Sequence, residues 1–253
     1  MRFRLSFLCL AGMVCSSLFA GTPVSAEPDP AARAGLYYVV ERGAALYYPA
    51  DSTRRYLHLR FGESLNMLER GDRWSTVRTT DGATGLVRNT HISDVWIRIS
   101  KSKQMLFVYN GATLTAKYPT DLGYNFFADK ERRGSEAIPD DWRTPEGEFY
   151  VVNKNDRSEF YKALVLNYPN SEDAQRGRRD GLISESEFDH IVRAERDRTI
   201  PPMGTALGGW IEIHGDGTGG KSNWTRGCIA IRNEQIDRLW SIVHVGTPVL
   251  IDP

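Results

Sequence analysis

Apolar residues in this chain fall into three kinds of run, and each kind predicts a different element. The first is one uncharged, mostly apolar stretch from Leu5 to Ala20. Arg2 and Arg4 precede it, and the small residues Val24-Ser25-Ala26 follow it. A positive start, an apolar middle and a small-residue end are the marks of a secretory signal over residues 1–26. Gly21, Thr22 and Pro23 cut the run short of the ~20 residues a membrane span needs, so no stable span is expected after cleavage. The second kind is short, often with period two: Leu36–Val40, Ala45–Tyr48, Arg55–Leu59, Leu65–Leu68 and Trp74–Val77. The pairs Gly71-Asp72 and Asp81-Gly82 punctuate these runs as turns. So many short strands in so few residues predict a small barrel over 36–93. Pro28 and Pro30 make 27–35 an extended linker.

A second β region is expected over 94–253. Val95–Ile99 alternates, and Gln104–Tyr109 and Thr113–Tyr118 flank Asn110-Gly111 as a hairpin. A polar, turn-rich stretch from Arg132 to Gly147 leads into a strand at Glu148–Val152. The third kind of run has helical spacing. Ser184-Glu185-Ser186-Glu187 has the form of a capping box, with Phe188, Ile191 and Val192 behind it. This helix lies in a charged insertion from Ser171 to Arg198, and its His190 should face solvent. A second helix starts at Asn233 as N-cap, with Ile236, Leu239, Trp240 and Val243 on one face. Gly246 and Pro248 end it, ahead of a buried strand Val249–Ile251. The fold class read from the pattern is mainly β, with a helical insertion and a C-terminal helix.

Composition narrows the function classes. The chain has 253 residues, 41% hydrophobic and 25% charged, which is ordinary for a packed protein and unlike a disordered one. Lys+Arg and Asp+Glu both total 32, so there is no basic excess of the kind nucleic-acid binders carry. Of the 3 cysteines, Cys9 and Cys15 leave with the signal. Cys228 is then the sole thiol of an exported protein, where lone thiols are chemical liabilities.

That thiol has a candidate partner. Trp210–His214 alternates like a strand, His214 sits at its end, and a loop with Gly215, Gly217, Gly219 and Gly220 follows. Then come Asn223-Trp224-Thr225-Arg226-Gly227-Cys228. A thiol attacks as its thiolate, and an ordinary cysteine with a pKa of ~8.5 is mostly protonated at neutral pH. A neighbouring imidazole can take that proton and return it to a leaving amine. Backbone N–H groups near Gly227 and Cys228 can then face an oxyanion. The residues alone fit this reading and equally a structural cysteine beside an unrelated loop histidine. A zinc site is disfavoured, because neither residue has a second Cys or His at ligand spacing. The loop lacks the Gly-Lys-Ser/Thr ending of a phosphate loop.

Ile213-His214-Gly215 with Thr225-Arg226-Gly227-Cys228-Ile229 resembles the signature of the L,D-transpeptidase (YkuD-type) catalytic family. Thr144-Pro145-Glu146-Gly147, Asp121-Leu122-Gly123 and Tyr168-Pro169-Asn170 extend the resemblance over about Val95 to Ile251. It implies a β-sandwich catalytic domain at 94–253 and no metal or organic cofactor. It also implies Cys228 as nucleophile, His214 as general base and acid, and the Gly215 carbonyl as orienter of the imidazole. The implied partners are peptidoglycan stem peptides, with a wall-attached protein as a further acceptor and β-lactams of the carbapenem type as covalent inhibitors. The implied place of action is the periplasm or cell wall. Arg226 stands where many members have a second histidine, and Ala230 where arginine or asparagine is common. Thr225, Arg226, Gly227 and Trp224 are therefore expected around the oxyanion and substrate, and Arg143 and Arg232 are candidates for a substrate carboxylate. Trp210 and Trp224 are candidates to line the cleft, though a tryptophan at the Trp210 position is more often core. His58, His91 and His244 have no evident partner.

Gly62-Glu63, Gly71–Trp74 and Asp81–Val87 make 36–93 resemble a bacterial SH3-like domain, with Leu86 where the family often has Trp. Two rival functions stay open: a cysteine hydrolase (amidase or peptidase) of the same fold, and a non-catalytic wall-binding protein.

Overall fold

The computed structural model describes residues 30–253, so the expected signal over 1–26 lies outside the described residues. Within the expected linker, Pro30–Arg33 forms one short 3-10 turn. The Arg33 guanidinium lies 4.7 Å from the centre of the Trp96 ring and ties this segment to the second half of the chain.

Residues 36–93 form a seven-stranded antiparallel sheet. Its spatial order is Asp51–His58, Ala45–Tyr48, Thr84–Arg88, Trp74–Thr79, Ser64–Arg70, Leu36–Val39 and Ile92–Ser93. Alternation sends Leu46, Leu65, Val77 and Val87 into a small core with Val39, Ala44, Leu59 and Ile92. Tyr38 joins this sheet to the rest of the molecule: its buried hydroxyl donates to the carbonyl of Val95 and lies 3.3 Å from Thr247 Oγ1.

The second half is an eight-stranded mixed sheet. Its order is Thr113–Pro119, Met105–Asn110, Val95–Ser100, Pro248–Asp252, Gly147–Ser158, Tyr161–Leu166, Glu212–His214 and Ile229–Ala230. The expected hairpin is present, with Gly111 at a φ of 52° in its turn. Leu106 from one end of this order and Ile229 from the other belong to one apolar cluster, so the sheet curls around a shared core. Helix Asn233–Ile242 closes that core with Ile236 and Leu239. The architecture is mainly β, as expected.

The helical part differs in detail. The capping box at Ser184 is present and starts helix Glu185–Arg196, and His190 is exposed. A further helix, Ser171–Arg179, precedes it, started by a capping box between Asn170 and Asp173. Its buried face is Asp173, Ala174 and Gly177, which carries no large apolar residue to mark it in the sequence. Asn233, expected as N-cap, is instead the first helical residue, and Arg232 occupies the cap with its N–H on Gln235 Oε1 at 3.1 Å. The Asn233 side chain is engaged elsewhere: it accepts the Asp216 N–H at 2.7 Å and donates to Asp216 Oδ1 at 3.0 Å.

Candidate active site

Strand Glu212–His214 pairs antiparallel with Tyr161–Leu166 on one side and parallel with Ile229–Ala230 on the other. The parallel register sets Ile213 opposite Ile229 and His214 opposite Ala230. Ile213 and Ile229 point into the core, so period two sends Glu212, His214, Cys228 and Ala230 to the opposite face. Cys228 directly precedes strand Ile229–Ala230, so the same alternation puts it on the His214 face, offset diagonally. Strand formation here follows from the β-branched isoleucines, and the strand ends at Gly215. A side chain at Gly215 would collide with Asn233 Oδ1 and with the Phe160 carbonyl.

His214 is almost fully buried, at 1% exposure. Its Nδ1 lies 2.7 Å from the Gly215 carbonyl oxygen. A carbonyl only accepts, so Nδ1 carries the proton and Nε2 keeps its lone pair. The ring stacks on Phe160 with centroids 4.5 Å apart and meets Trp224 edge-on at 6.0 Å. Burial lowers the imidazole pKa below its usual 6.5, against a smaller upward pull from the Gly215 carbonyl, so the ring is neutral at pH 7.

Asp121 organises the glycine-rich loop from below. It is fully buried and accepts from Thr218 N at 2.6 Å, Thr218 Oγ1 at 2.8 Å, Ser222 N at 2.8 Å and Trp224 Nε1 at 3.0 Å. Burial alone would raise its pKa, but these bonds outweigh burial and hold the carboxylate ionised. The bond to Trp224 fixes the indole against His214.

The turn leading into Cys228 is held by Thr225. Its hydroxyl donates to the Cys228 carbonyl at 2.7 Å and accepts the Gly227 N–H at 3.2 Å. An oxyanion at the Gly227 amide would compete with that bond. Gly227 has a φ of 126°, and a Cβ there would lie 2.6 Å from the Arg143 carbonyl oxygen, so only glycine fits. Cys228 is half-buried, and its thiol donates to the Trp210 carbonyl at 3.3 Å rather than to His214. Burial, reinforced by the Glu212 carboxylate, pushes the thiol pKa up to about 12, so the resting sulfur is protonated.

The sulfur opens onto a cleft of about 510 Å3 whose walls include Lys130, Glu136, Trp142, Trp210 and Arg226. Trp210, at a position more often core, is 58% exposed. Its φ of 54° and the 3.2 Å contact of its N–H with Met203 Sδ turn the indole outward into this wall. Arg226 lies 5.0 Å over the Trp142 ring and pairs with Glu136. Neither Arg143 nor Arg232 is among the walls of this cleft. The Arg143 guanidinium bonds the Asp140 carbonyl at 2.9 Å, Asp140 Oδ2 at 3.0 Å and the Asp129 carbonyl at 3.3 Å, fastening its own loop. Arg232 is exposed and packs over Gly219, away from the cleft walls.

The buried cation of the cleft is one that sequence reasoning missed. Lys130 is 3% exposed, and its Nζ lies 3.3 Å from the Asp141 carbonyl oxygen. Burial lowers its pKa to about 8, and the nearby Cys228 pulls it back upward. Glu212 was missed as well: burial raises its pKa to about 7 beside the thiol. Neither side chain stands within a recognisable motif, and only the folded chain, a loop for Lys130 and a strand for Glu212, brings them near the sulfur. Among the described residues no group of three or more His, Cys, Asp and Glu could hold a metal ion. No helix among them is long and apolar enough to cross a membrane.

A family model described as the L,D-transpeptidase catalytic domain (YkuD) matches residues 94–251. No curated protein matches the chain. Among solved structures, Bd1075 of Bdellovibrio bacteriovorus is 22% identical, over 63% of this chain and 48% of that one, with a TM-score of 0.38. The helical cell shape determining protein Pgp2 of Campylobacter jejuni is 20% identical, over 63% and 47% of the two chains, with a TM-score of 0.41. An L,D-transpeptidase of Xylanimonas cellulosilytica is 16% identical, over 63% and 60%, with a TM-score of 0.37. The aligned part spans about half the length of the first two.

Proposed function

The chain belongs to the L,D-transpeptidase (YkuD) catalytic-domain family, and from that premise we propose that it is an exported enzyme joining peptidoglycan stem peptides through a thioester on Cys228. The observation that carries this reading is the imidazole of His214, fixed by the Gly215 carbonyl at 2.7 Å with Nε2 unprotonated, on the sheet face it shares with Cys228.

The reaction begins with rotation of the thiol away from the Trp210 carbonyl toward His214, a side-chain motion fast enough not to limit turnover. Nε2 takes the thiol proton, and the thiolate attacks the carbonyl carbon of the donor stem peptide. Lys130 opposes the negative charge on sulfur as it forms. Collapse of the tetrahedral intermediate breaks the peptide C–N bond, and His214 returns the proton to the leaving amine. The Gly215 carbonyl stabilises the imidazolium formed in between, a role a carboxylate fills in other triads. An amine from a second stem, or from a wall-attached protein, then attacks the thioester and frees the thiol. Residues 36–93 serve as an SH3-like module that binds wall fragments, and carbapenems acylate the same sulfur.

Water in place of the amine turns the same machinery into a hydrolase. Incubating the protein with purified muropeptides and weighing the products separates the two. Cross-linked dimers are the expected result; trimmed monomers alone would contradict transfer.

A further inference from the structure

Glu212 has no part in the chemistry above, yet it sits beside the nucleophile. Cys228 immediately precedes Ile229, which pairs with Ile213, so continuing that parallel register places Glu212 alongside Cys228, and the Glu212 charge acts on the thiol. Parallel strands lie only ~4.8 Å apart, so the carboxyl and the sulfur are neighbours. On its other side Glu212 pairs with Val165, which is apolar and buried. Its carboxyl has no hydrogen bond or ion pair among the described residues, and burial is the cause of its raised pKa. The titratable groups around it are Cys228, just before the neighbouring strand, His214 on its own strand, and Lys130, whose charge also acts on the sulfur. Glu212 and Cys228 are each only half-buried.

A half-buried carboxylate without a counter-ion is costly, and a cation beside it repays that cost. The acceptor of a thioester in an acyl transfer brings such a cation. A primary alkylamine has a pKa near that of lysine, ~10.4, so at neutral pH it arrives as an ammonium and has no lone pair for attack.

We propose that Glu212 is the acceptor-side catalytic residue: its carboxylate binds a cationic primary amine beside the Cys228 thioester and takes the proton that blocks attack. The proposal rests on the acyl-transfer reading and adds the residue that binds and deprotonates its amine acceptor. The ammonium passes one proton to Glu212. The freed amine forms a C–N bond to the thioester carbon, and the C–S bond breaks. The second amine proton goes to His214, which returns it to the thiolate, and Glu212 releases its proton to solvent. A carboxyl with a pKa pushed up to about 7 is a stronger base than an ordinary carboxylate and is poised for this transfer near neutral pH.

The test uses the whole exported protein, wild type and Glu212→Gln, with a tetrapeptide muropeptide as donor. Two acceptors are compared at pH 7: Nα-acetyl-lysine, whose side-chain amine is cationic, and hydroxylamine, which is neutral. The ratio of amide to hydroxamate formation should fall on the order of 100-fold in Glu212→Gln, and should recover as pH is raised toward the amine's own pKa. Alkylation of Cys228 by iodoacetamide should become several-fold faster in the variant, because a negative charge beside the sulfur is gone. Equal loss with both acceptors, or no loss with either, overturns the proposal, as does an alkylation rate that does not change. A wild type that only hydrolyses the donor overturns the transfer reading instead, and that outcome is read before the variant is compared.

Discussion

Burial acts on the titratable groups of the site in one consistent sense, disfavouring whichever form is charged. It keeps His214 neutral, keeps the Cys228 thiol protonated with a pKa of about 12, and softens Lys130 to about 8. The consequence is a site that rests uncharged at sulfur and develops charge only when the thiol meets the imidazole. In the proposed mechanism Lys130, whose charge favours the thiolate, opposes that developing charge. Replacing Lys130 with Met should raise the apparent pKa seen in the pH profile of Cys228 alkylation and slow acylation about ten-fold, the equivalent of one pKa unit. Lys130→Arg should restore much of the rate, because the charge is kept. A Met variant with an unshifted profile would remove Lys130 from the mechanism. The proposed nucleophile and base could be picked out in the sequence because glycines flank them and because the His214 strand alternates. Lys130 and Glu212 were not legible, since their meaning comes from long-range placement against one sulfur.

At the scale of elements, helix Ser171–Arg179 shows what pattern reading overlooks. Its inward side is made of small or polar residues, so no apolar stripe reports it, and it docks by close approach. A Cβ on Gly177 would lie 2.5 Å from Leu207 Cδ2, and Leu207 is 1% exposed and has little room to move. Gly177→Val should therefore cost about 1–3 kcal/mol by overpacking, measurable as a lower denaturant midpoint with unchanged slope. Asp173 on the same helix is buried, and burial pushes its carboxyl pKa up to about 7 despite the Arg176 guanidinium 2.7 Å away. A carboxyl whose folded pKa exceeds its unfolded value of ~3.9 holds a proton that the unfolded chain has released, so its contribution to stability is lost as pH rises through about 7. Thermal melts of wild type and Asp173→Asn should show the wild type losing ground to the variant between pH 5 and pH 8. A constant gap would contradict the assignment. The Asn233 cap was misread for a related reason. Its side chain suits either a cap or a loop clamp, and the nearby Asp216 decides for the clamp.

At the scale of the whole molecule, the two sheets are joined through buried polar contacts, led by the Tyr38 hydroxyl between Val95 and Thr247. Arg198 extends the join: its carbonyl accepts from Arg42 at 3.0 Å, and its guanidinium packs over Gly62. The first sheet is thus tied to the second through Val95 and Thr247 and to the helical insertion through Arg198. The broad division into a small all-β unit and a larger mixed sheet was legible in the spacing of strands and turns. The way Trp210 turns outward was not, because its left-handed backbone is imposed by Met203 rather than by the local sequence.

The central claim is that one sulfur carries the acyl group and one imidazole puts it there. Brief incubation with a tetrapeptide muropeptide, acid quench and peptide mapping by mass spectrometry tests it directly. A donor-sized acyl mass should appear on Cys228 in the wild type. It should be absent in Cys228→Ala and reduced at least on the order of 100-fold in His214→Ala. Full turnover by Cys228→Ala, or an acyl group mapped to any other residue, would contradict the account.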